Sequence, residues 1–224
     1  MIGLPRVHLR ITDSTNERAK ELAAAGAPHG TLVSADEQSA GRGRQGRVWT
    51  AEPGDALLLS LVLRSPDELV PIRAAVAVAQ SIPVPAQIKW PNDVWIGGKK
   101  VSGILVEGRP QEGWAVLGIG LNVATRSFPD ELSEIATSLA LAGASVSRDQ
   151  ALASLLASLD RQLAAPATEV LEQWRKRDAL LGAPVAWNGG HGTGAGITDA
   201  GALMVETEAG VVELDAGEVH LAAG

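Results

Sequence analysis

Hydrophobic and polar positions divide the chain into segments of two different periods. From Ala56 to Leu63 the chain is apolar almost throughout, which predicts a strand buried on both faces. Thr31 to Ala35 and Trp114 to Val123 also read as strands. Val94 to Ile96 and Lys99 to Glu107 flank Gly97-Gly98, the pattern of a hairpin with a two-glycine turn. Helical segments alternate with these. Ser14-Thr15-Asn16-Glu17 is a capping-box pattern that predicts a helix to about Ala25, stopped by Gly26. Pro71 starts a second helix, over about Val70 to Ser81. Further helices are expected over Asp130 to Leu141, Asp149 to Leu163 (with Ser147 and Gln150 as a second capping box) and Thr168 to Leu180. After Leu181 the pattern changes to short alternating runs rich in Gly, Ala and Val: Pro184 to Trp187, Gly194 to Thr198, Ala202 to Glu206, Val211 to Leu214 and Glu218 to Leu221. The fold class expected is α+β. A mixed β-sheet flanked by helices should occupy residues 1–181, with a small β-barrel over residues 182–224.

Composition narrows the classes of function. At 224 residues and 46% apolar, the chain can bury a sizeable core, built mainly from Ala, Val and Leu because it has one Phe and no Tyr. Cysteine is absent, which excludes disulfides, thiolate metal sites and a cysteine nucleophile. Four scattered histidines give no metal-binding pattern. No apolar run approaches the ~20 residues of a membrane span, and no signal peptide is evident, so a cytoplasmic location without membrane contact is expected.

The net charge is -7, yet Gly41-Arg42-Gly43-Arg44-Gln45-Gly46-Arg47 holds three arginines, three glycines and no acid. Glycines allow sharp turns and close approach of backbone to a ligand. Arginines offer forked donors to phosphate and carboxylate oxygens. The loop could be an exposed basic turn or part of a nucleic-acid patch, but overall acidity speaks against nucleic acid. Trp49 and the buried strand that follow favour closure over an anionic small molecule. Lys89-Trp90-Pro91-Asn92-Asp93 places polar side chains where Pro91 ends a strand, although these are also ordinary turn residues. Lys100 heads an apolar strand containing Gly103, and an inward ammonium there needs an anionic or carbonyl partner. Ser14-Thr15-Asn16 caps a helix and can also offer a ligand the free N–H groups of its N-terminus. Glycines at 118 and 120, within a strand, mark close approach by a ligand.

Ser14-Thr15-Asn16, Gln38, the Gly41 to Arg47 loop with Trp49, Lys89 to Asp93, Lys100 to Leu105 and Gly118 to Val123 resemble, in order and spacing, the biotin protein ligases. The match covers nearly the whole chain and starts almost directly at the catalytic domain, without the winged helix-turn-helix of the bifunctional ligase-repressors. The resemblance implies a class II synthetase-like catalytic domain and an SH3-like C-terminal barrel. It implies that ATP, Mg²⁺ and biotin give biotinyl-5'-AMP, and that biotin then passes to a lysine of a biotin carboxyl carrier protein. It places Ser14, Thr15, Asn16, Gln38, Arg42, Gly43, Arg44, Lys100 and Gly103 at biotin. Gly41, Arg42, Arg44, Arg47, Asn92, Asp93 and Asn122 fall on the nucleotide or phosphate side, with Arg44 and Lys100 as catalytic groups. No protein ligands to the metal are assigned; Mg²⁺ would be held by the nucleotide phosphates. A lipoate or octanoate ligase or transferase shares the architecture but needs a long apolar tunnel. A non-catalytic module that sequesters biotinyl-AMP or a carrier domain is the other reading. Edge strands of the main sheet could pair in a homodimer.

Overall fold

The computed structural model describes residues 1–222. Its elements run β1 (Arg6–Thr12), α1 (Thr15–Ala24), β2 (Leu32–Gln38), β3 (Ala56–Arg64), α2 (Val70–Ser81), β4 (Gln87–Lys89), β5 (Asp93–Ile96), β6 (Lys99–Arg109) and β7 (Trp114–Asn122). There follow α3 (Asp130–Ser133), α4 (Arg148–Ala164), α5 (Ala167–Arg175), β8 (Pro184–Trp187), β9 (Gly190–Ile197), β10 (Leu203–Thr207), β11 (Gly210–Leu214) and β12 (Val219–Leu221). Strands β1 to β7 form one mixed sheet in the order β1-β2-β3-β7-β6-β5-β4. Only the β1–β2 pair is parallel.

The two faces of this sheet separate packing from chemistry. Along β3, Leu57, Leu59, Leu61 and Leu63 join the main core, as do Leu117, Ile119 and Leu121 along β7. Helices α2, α4 and α5 supply its other side. Each such leucine contributes roughly 1.5–3 kcal/mol on burial. Helix α2 is buried nearly all round, and its alanines at 74, 75, 77 and 79 let sheet and α4 approach closely. The alternate positions point the other way. There α1 covers a small cluster of Ala19, Ala23, Val33, Val62, Trp114 and Val116. Farther along the same face lie Ser60, Gly118, Gly120 and Asn122.

Several expectations need correction. Strand β1 has no counterpart in the pattern reading: it is a sheet edge, mostly exposed, and only its parallel pairing with β2 defines it. The helix expected over Asp130 to Leu141 is a single turn. Beyond it, the backbone joins the sheet instead: Lys100 N–H donates to Ile135 O at 2.8 Å, and Thr137 N–H to Lys100 O at 2.8 Å. Leu139 N–H donates to Asn122 O at 3.1 Å. Helix α5 stops at Arg175, because Ala179 N–H donates to Ile88 O and so extends β4. The Ser14–Glu17 capping box does not form; Ser14 holds the N-cap position without a side-chain bond. The Ser147–Gln150 box does form, with both reciprocal bonds.

The second sheet is antiparallel in the order β11-β10-β9-β8-β12. Among the described residues it is not a closed barrel, since β11 and β12 remain its two edges. Val185, Ile197, Leu203, Val205 and Val219 merge into the main core, and Trp90 Nε1–H donates to Gly201 O at 3.0 Å. Among the described residues no helix is long and apolar enough to cross a membrane.

Candidate active site

A cavity of about 530 Å³ opens on the face that β3, β6 and β7 leave unpacked. Its wall includes Ser14, Thr15, Asn16 and Gln38 at one side, and Arg42, Gly43, Arg44 and Arg47 of the glycine-arginine loop. Asn92, Asp93, Lys100, Gly103 and Asn122 complete the residues that the sequence brought forward. Gly41 lies outside the wall. It is the base of the loop: Trp49 N–H donates to Gly41 O at 3.0 Å, and a Cβ at Gly41 would meet Trp49 O at 2.3 Å.

Gly103, Gly118 and Gly120 line the cavity, and they also make room for protein side chains. A Cβ at Gly120 would lie 2.5 Å from Trp49 Cε2, and one at Gly103 would lie 3.0 Å from Trp49 Cζ3. A Cβ at Gly118 would stand 2.2 Å from Asn16 Oδ1. Trp49 therefore lies on a glycine floor, and Asn16 reaches into the sheet face over Gly118.

The Ser14 side of the cavity is neutral and hydrogen-bonded. One free N–H at the start of helix α1 is satisfied from β2: Thr15 N–H donates to Gln38 Oε1 at 2.7 Å. Thr15 Oγ1 lies 3.0 Å from the same oxygen. Ser60 Oγ, fully buried, is 2.8 Å from Thr15 Oγ1 and 2.6 Å from Asn16 Oδ1.

The opposite side is cationic. Lys100 Nζ stands 2.6 Å from Asp93 Oδ1 and 5.7 Å from the centroid of the Trp49 ring. Lys89 sits 5.5 Å over Trp95, and burial pulls its pKa below the usual lysine value, with Asp93 opposing and Lys100 and Arg47 reinforcing. Burial also pulls down Arg44, with Asp93 opposing and Arg47 reinforcing. Arg44 donates to Gly217 O at 3.3 Å, and Arg47 pairs with Glu218. Lys99, by contrast, points away, to Ser133 O at 2.8 Å and Glu134.

Three further expected site residues are also engaged. Asn92 Nδ2 donates to Ile104 O at 2.9 Å, and Asn122 Nδ2 to Thr137 O at 3.0 Å. Arg42 pairs with Glu17 at 2.7 Å, across the loop from helix α1. The cavity also includes residues that local patterns did not nominate: Lys89 and Trp95, and Gly217, Glu218 and His220 from the second sheet. Lys89 stood inside a noted motif. The other sheet's contribution had no signal short of the folded chain. Among the described residues no group of three or more His, Cys, Asp or Glu is arranged to hold a metal. Asp93 and Glu218 are the carboxylates on the wall, and one carboxylate with phosphate oxygens is a common donor set for Mg²⁺.

Fold and cavity together define an α+β domain whose cavity lies between a hydrogen-bonded polar end and a cluster of cations. The chain belongs to the biotin/lipoate A/B protein ligase family, whose model matches residues 8–123. It is 38% identical over 234 residues to the bifunctional ligase/repressor BirA of Bacillus spizizenii, covering 93% of this chain and 71% of that one. It is 35% identical to the biotin--[acetyl-CoA-carboxylase] ligase of Paracoccus denitrificans, covering 88% of this chain and 92% of the relative. A biotin protein ligase of Aquifex aeolicus, solved in complex with biotin and ATP, superposes with TM-score 0.87 at 29% identity, over 97% of this chain and 99% of that one.

Proposed function

We propose that the cavity performs both steps of ATP-dependent protein biotinylation. The observation that carries this is the division of one cavity into a neutral hydrogen-bonding end and an end where Arg44, Arg47, Lys89 and Lys100 converge. A ureido head group, with one carbonyl and two N–H groups, suits the first end. A carboxylate meeting a triphosphate requires the second. In the first step a biotin carboxylate oxygen attacks the α-phosphorus, the bond to the β-phosphate breaks, and pyrophosphate leaves. Two anions approach each other, so neutralising charge is the main catalytic task. Arg44 and Arg47 face the phosphates, Lys100 the carboxylate and later the acyl oxygen, and Arg42 joins them when it leaves Glu17. Mg²⁺, with nucleotide phosphates and Asp93 as donors, would add charge neutralisation.

No enzyme nucleophile is required. The mixed anhydride is already activated, and an acceptor lysine amine displaces AMP from it to form the amide. The acceptor is a carboxylase's biotin carrier, bearing one target lysine. Until it arrives, the glycine-arginine loop shields the anhydride from water. Residues 1–181 act as the catalytic unit and residues 182–224 as an accessory domain, of which Gly217, Glu218 and His220 line the cavity.

Incubation with ATP, Mg²⁺ and biotin, followed by mass detection, should yield biotinyl-AMP and pyrophosphate. Parallel incubations use lipoic and octanoic acids. Adenylates from those acids, with none from biotin, would replace this reading with a lipoate-type ligase. Binding of biotin without pyrophosphate release would reduce the protein to a non-catalytic module.

A further inference from the structure

The buried polar chain at the head-group end contains an ambiguity that one residue resolves. Ser60 Oγ has a single proton and two acceptors in reach, Asn16 Oδ1 and Thr15 Oγ1. If that proton went to Thr15, Asn16 Oδ1 would face a hydroxyl lone pair at 2.6 Å. The alternative is to rotate the Asn16 amide so that its NH₂ meets Ser60. Which arrangement holds depends on the far side of Asn16, where Nδ2 lies 2.8 Å from Glu107 Oε2. An ionised carboxylate can only accept. It therefore holds the Asn16 NH₂ toward itself and turns Oδ1 toward Ser60.

Glu107 is kept ionised by its surroundings. Burial pushes its carboxyl up, but hydrogen bonds from Asn16 and Lys20 and the charges of Lys20 and Arg42 outweigh this and hold it below the usual glutamate value. Lys20 Nζ is 2.9 Å from Glu107 Oε1 and 2.8 Å from Glu17 Oε1. Ser60 is fully buried and Asn16 only 3% exposed, so little solvent reaches the bond between them to repair a wrong orientation.

We propose that Glu107 is a positioning residue that sets the proton order of the head-group pocket through Asn16 and Ser60. With Ser60 committed to Asn16, Thr15 Oγ1 receives no internal proton, and its lone pairs stay open to the cavity. A ligand N–H meets an acceptor there. In the reversed order Ser60 donates to Thr15, and that acceptor is blunted. The inference rests on the biotin ligase reading, and it makes Glu107, which does not line the cavity, a determinant of affinity for the ureido head group.

Glu107→Gln conserves shape but lets the side-chain amide present either oxygen or NH₂ to Asn16, so both proton orders become accessible. Titration calorimetry with biotin alone should show about a tenfold weaker Kd for Glu107→Gln, while the KM for ATP and the thermal midpoint change little. In an Asn16→Ala background the same change should alter biotin affinity less than about twofold, because the path through Asn16 is gone. Lys20→Met removes the ion pair but leaves Asn16 and Arg42 to favour the ionised carboxylate, so at neutral pH it should also stay within about twofold. Wild-type affinity in Glu107→Gln would overturn the proposal. So would a full additional loss in the Asn16→Ala background, or an equal loss in Lys20→Met. Failure of the wild-type protein to bind biotin would instead defeat the biotin reading.

Discussion

The two ends of the cavity are built on opposite principles. At the Ser14 end the side chains on the wall are uncharged and closely hydrogen-bonded, Thr15, Asn16 and Ser60 are buried, and Glu107 stands behind them. Position is set by hydrogen bonds that water cannot replace. At the Arg44 end the groups are charged, partly exposed, and paired with groups from other elements: Lys100 with Asp93, Arg47 with Glu218, Arg44 with Gly217 O. A neutral head group is recognised by geometry, and geometry requires a rigid, dehydrated wall. Anions that must approach each other require charge delivered when they arrive, so the cations have temporary partners that can be exchanged.

The sharpest way to break this contrast is Arg44→Ala. Loss of one charge-assisted contact to a developing anion typically costs ~3 kcal/mol, about a hundredfold in rate. Pyrophosphate release should fall by that order while the thermal midpoint stays near wild type, since among the described residues the Arg44 side chain makes one long hydrogen bond. A wild-type rate would remove Arg44 from the chemistry.

Lys100→Ala should have the next largest effect. It removes the cation from the carboxylate and leaves Asp93 unpaired beside the ligand. Biotin binding without ATP should weaken by roughly tenfold, within the ~1.5–3 kcal/mol of a charged hydrogen bond. Lys99→Ala is the control, because Lys99 faces Ser133 and Glu134 outside the cavity. Equal affinities in the two variants, measured by calorimetry, would make Lys100 a bystander.

At the neutral end, Gly118→Ala tests rigidity itself. The added methyl would overlap Asn16 Oδ1 and displace it. Overpacking of this kind costs about 1–3 kcal/mol, so the denaturation midpoint should drop and biotin affinity should fall with it. A variant with unchanged affinity would show that the Asn16 wall is pliable after all.

The smallest effect is expected from Glu218→Gln. It breaks the pair with Arg47, which is largely exposed, and such pairs contribute less than ~1 kcal/mol. Stability should hardly change, but limited proteolysis within residues 41–47 should speed up, and added salt should mimic the substitution. Unchanged cleavage would mean that the second sheet does not restrain the loop.

What local sequence determines is visible wherever short-range preference and tertiary environment agree. Helix α2 begins and ends where Pro71 and its apolar run place it, the Ser147–Gln150 box forms, and Gly97 and Gly98 take the positive φ of their hairpin turn. The ligand-facing segments were legible too, because their glycines, arginines and lysines are unusual for an acidic chain. What only the tertiary structure decided lies where a backbone or side chain had more than one partner to choose from. Residues 134–141 exchange helical bonds for bonds to Lys100 and Asn122. Ser14 holds the N-cap position without a side-chain bond, and Gln38 from β2 takes the Thr15 N–H. Gly118 and Gly120 make room for Asn16 and Trp49 as well as lining the cavity, and Glu107 reaches the site from behind the wall, through Asn16 and beside Arg42. Each of these is a competition between a local bond and a distant one, and it is settled by groups that come together only when the sheet is assembled.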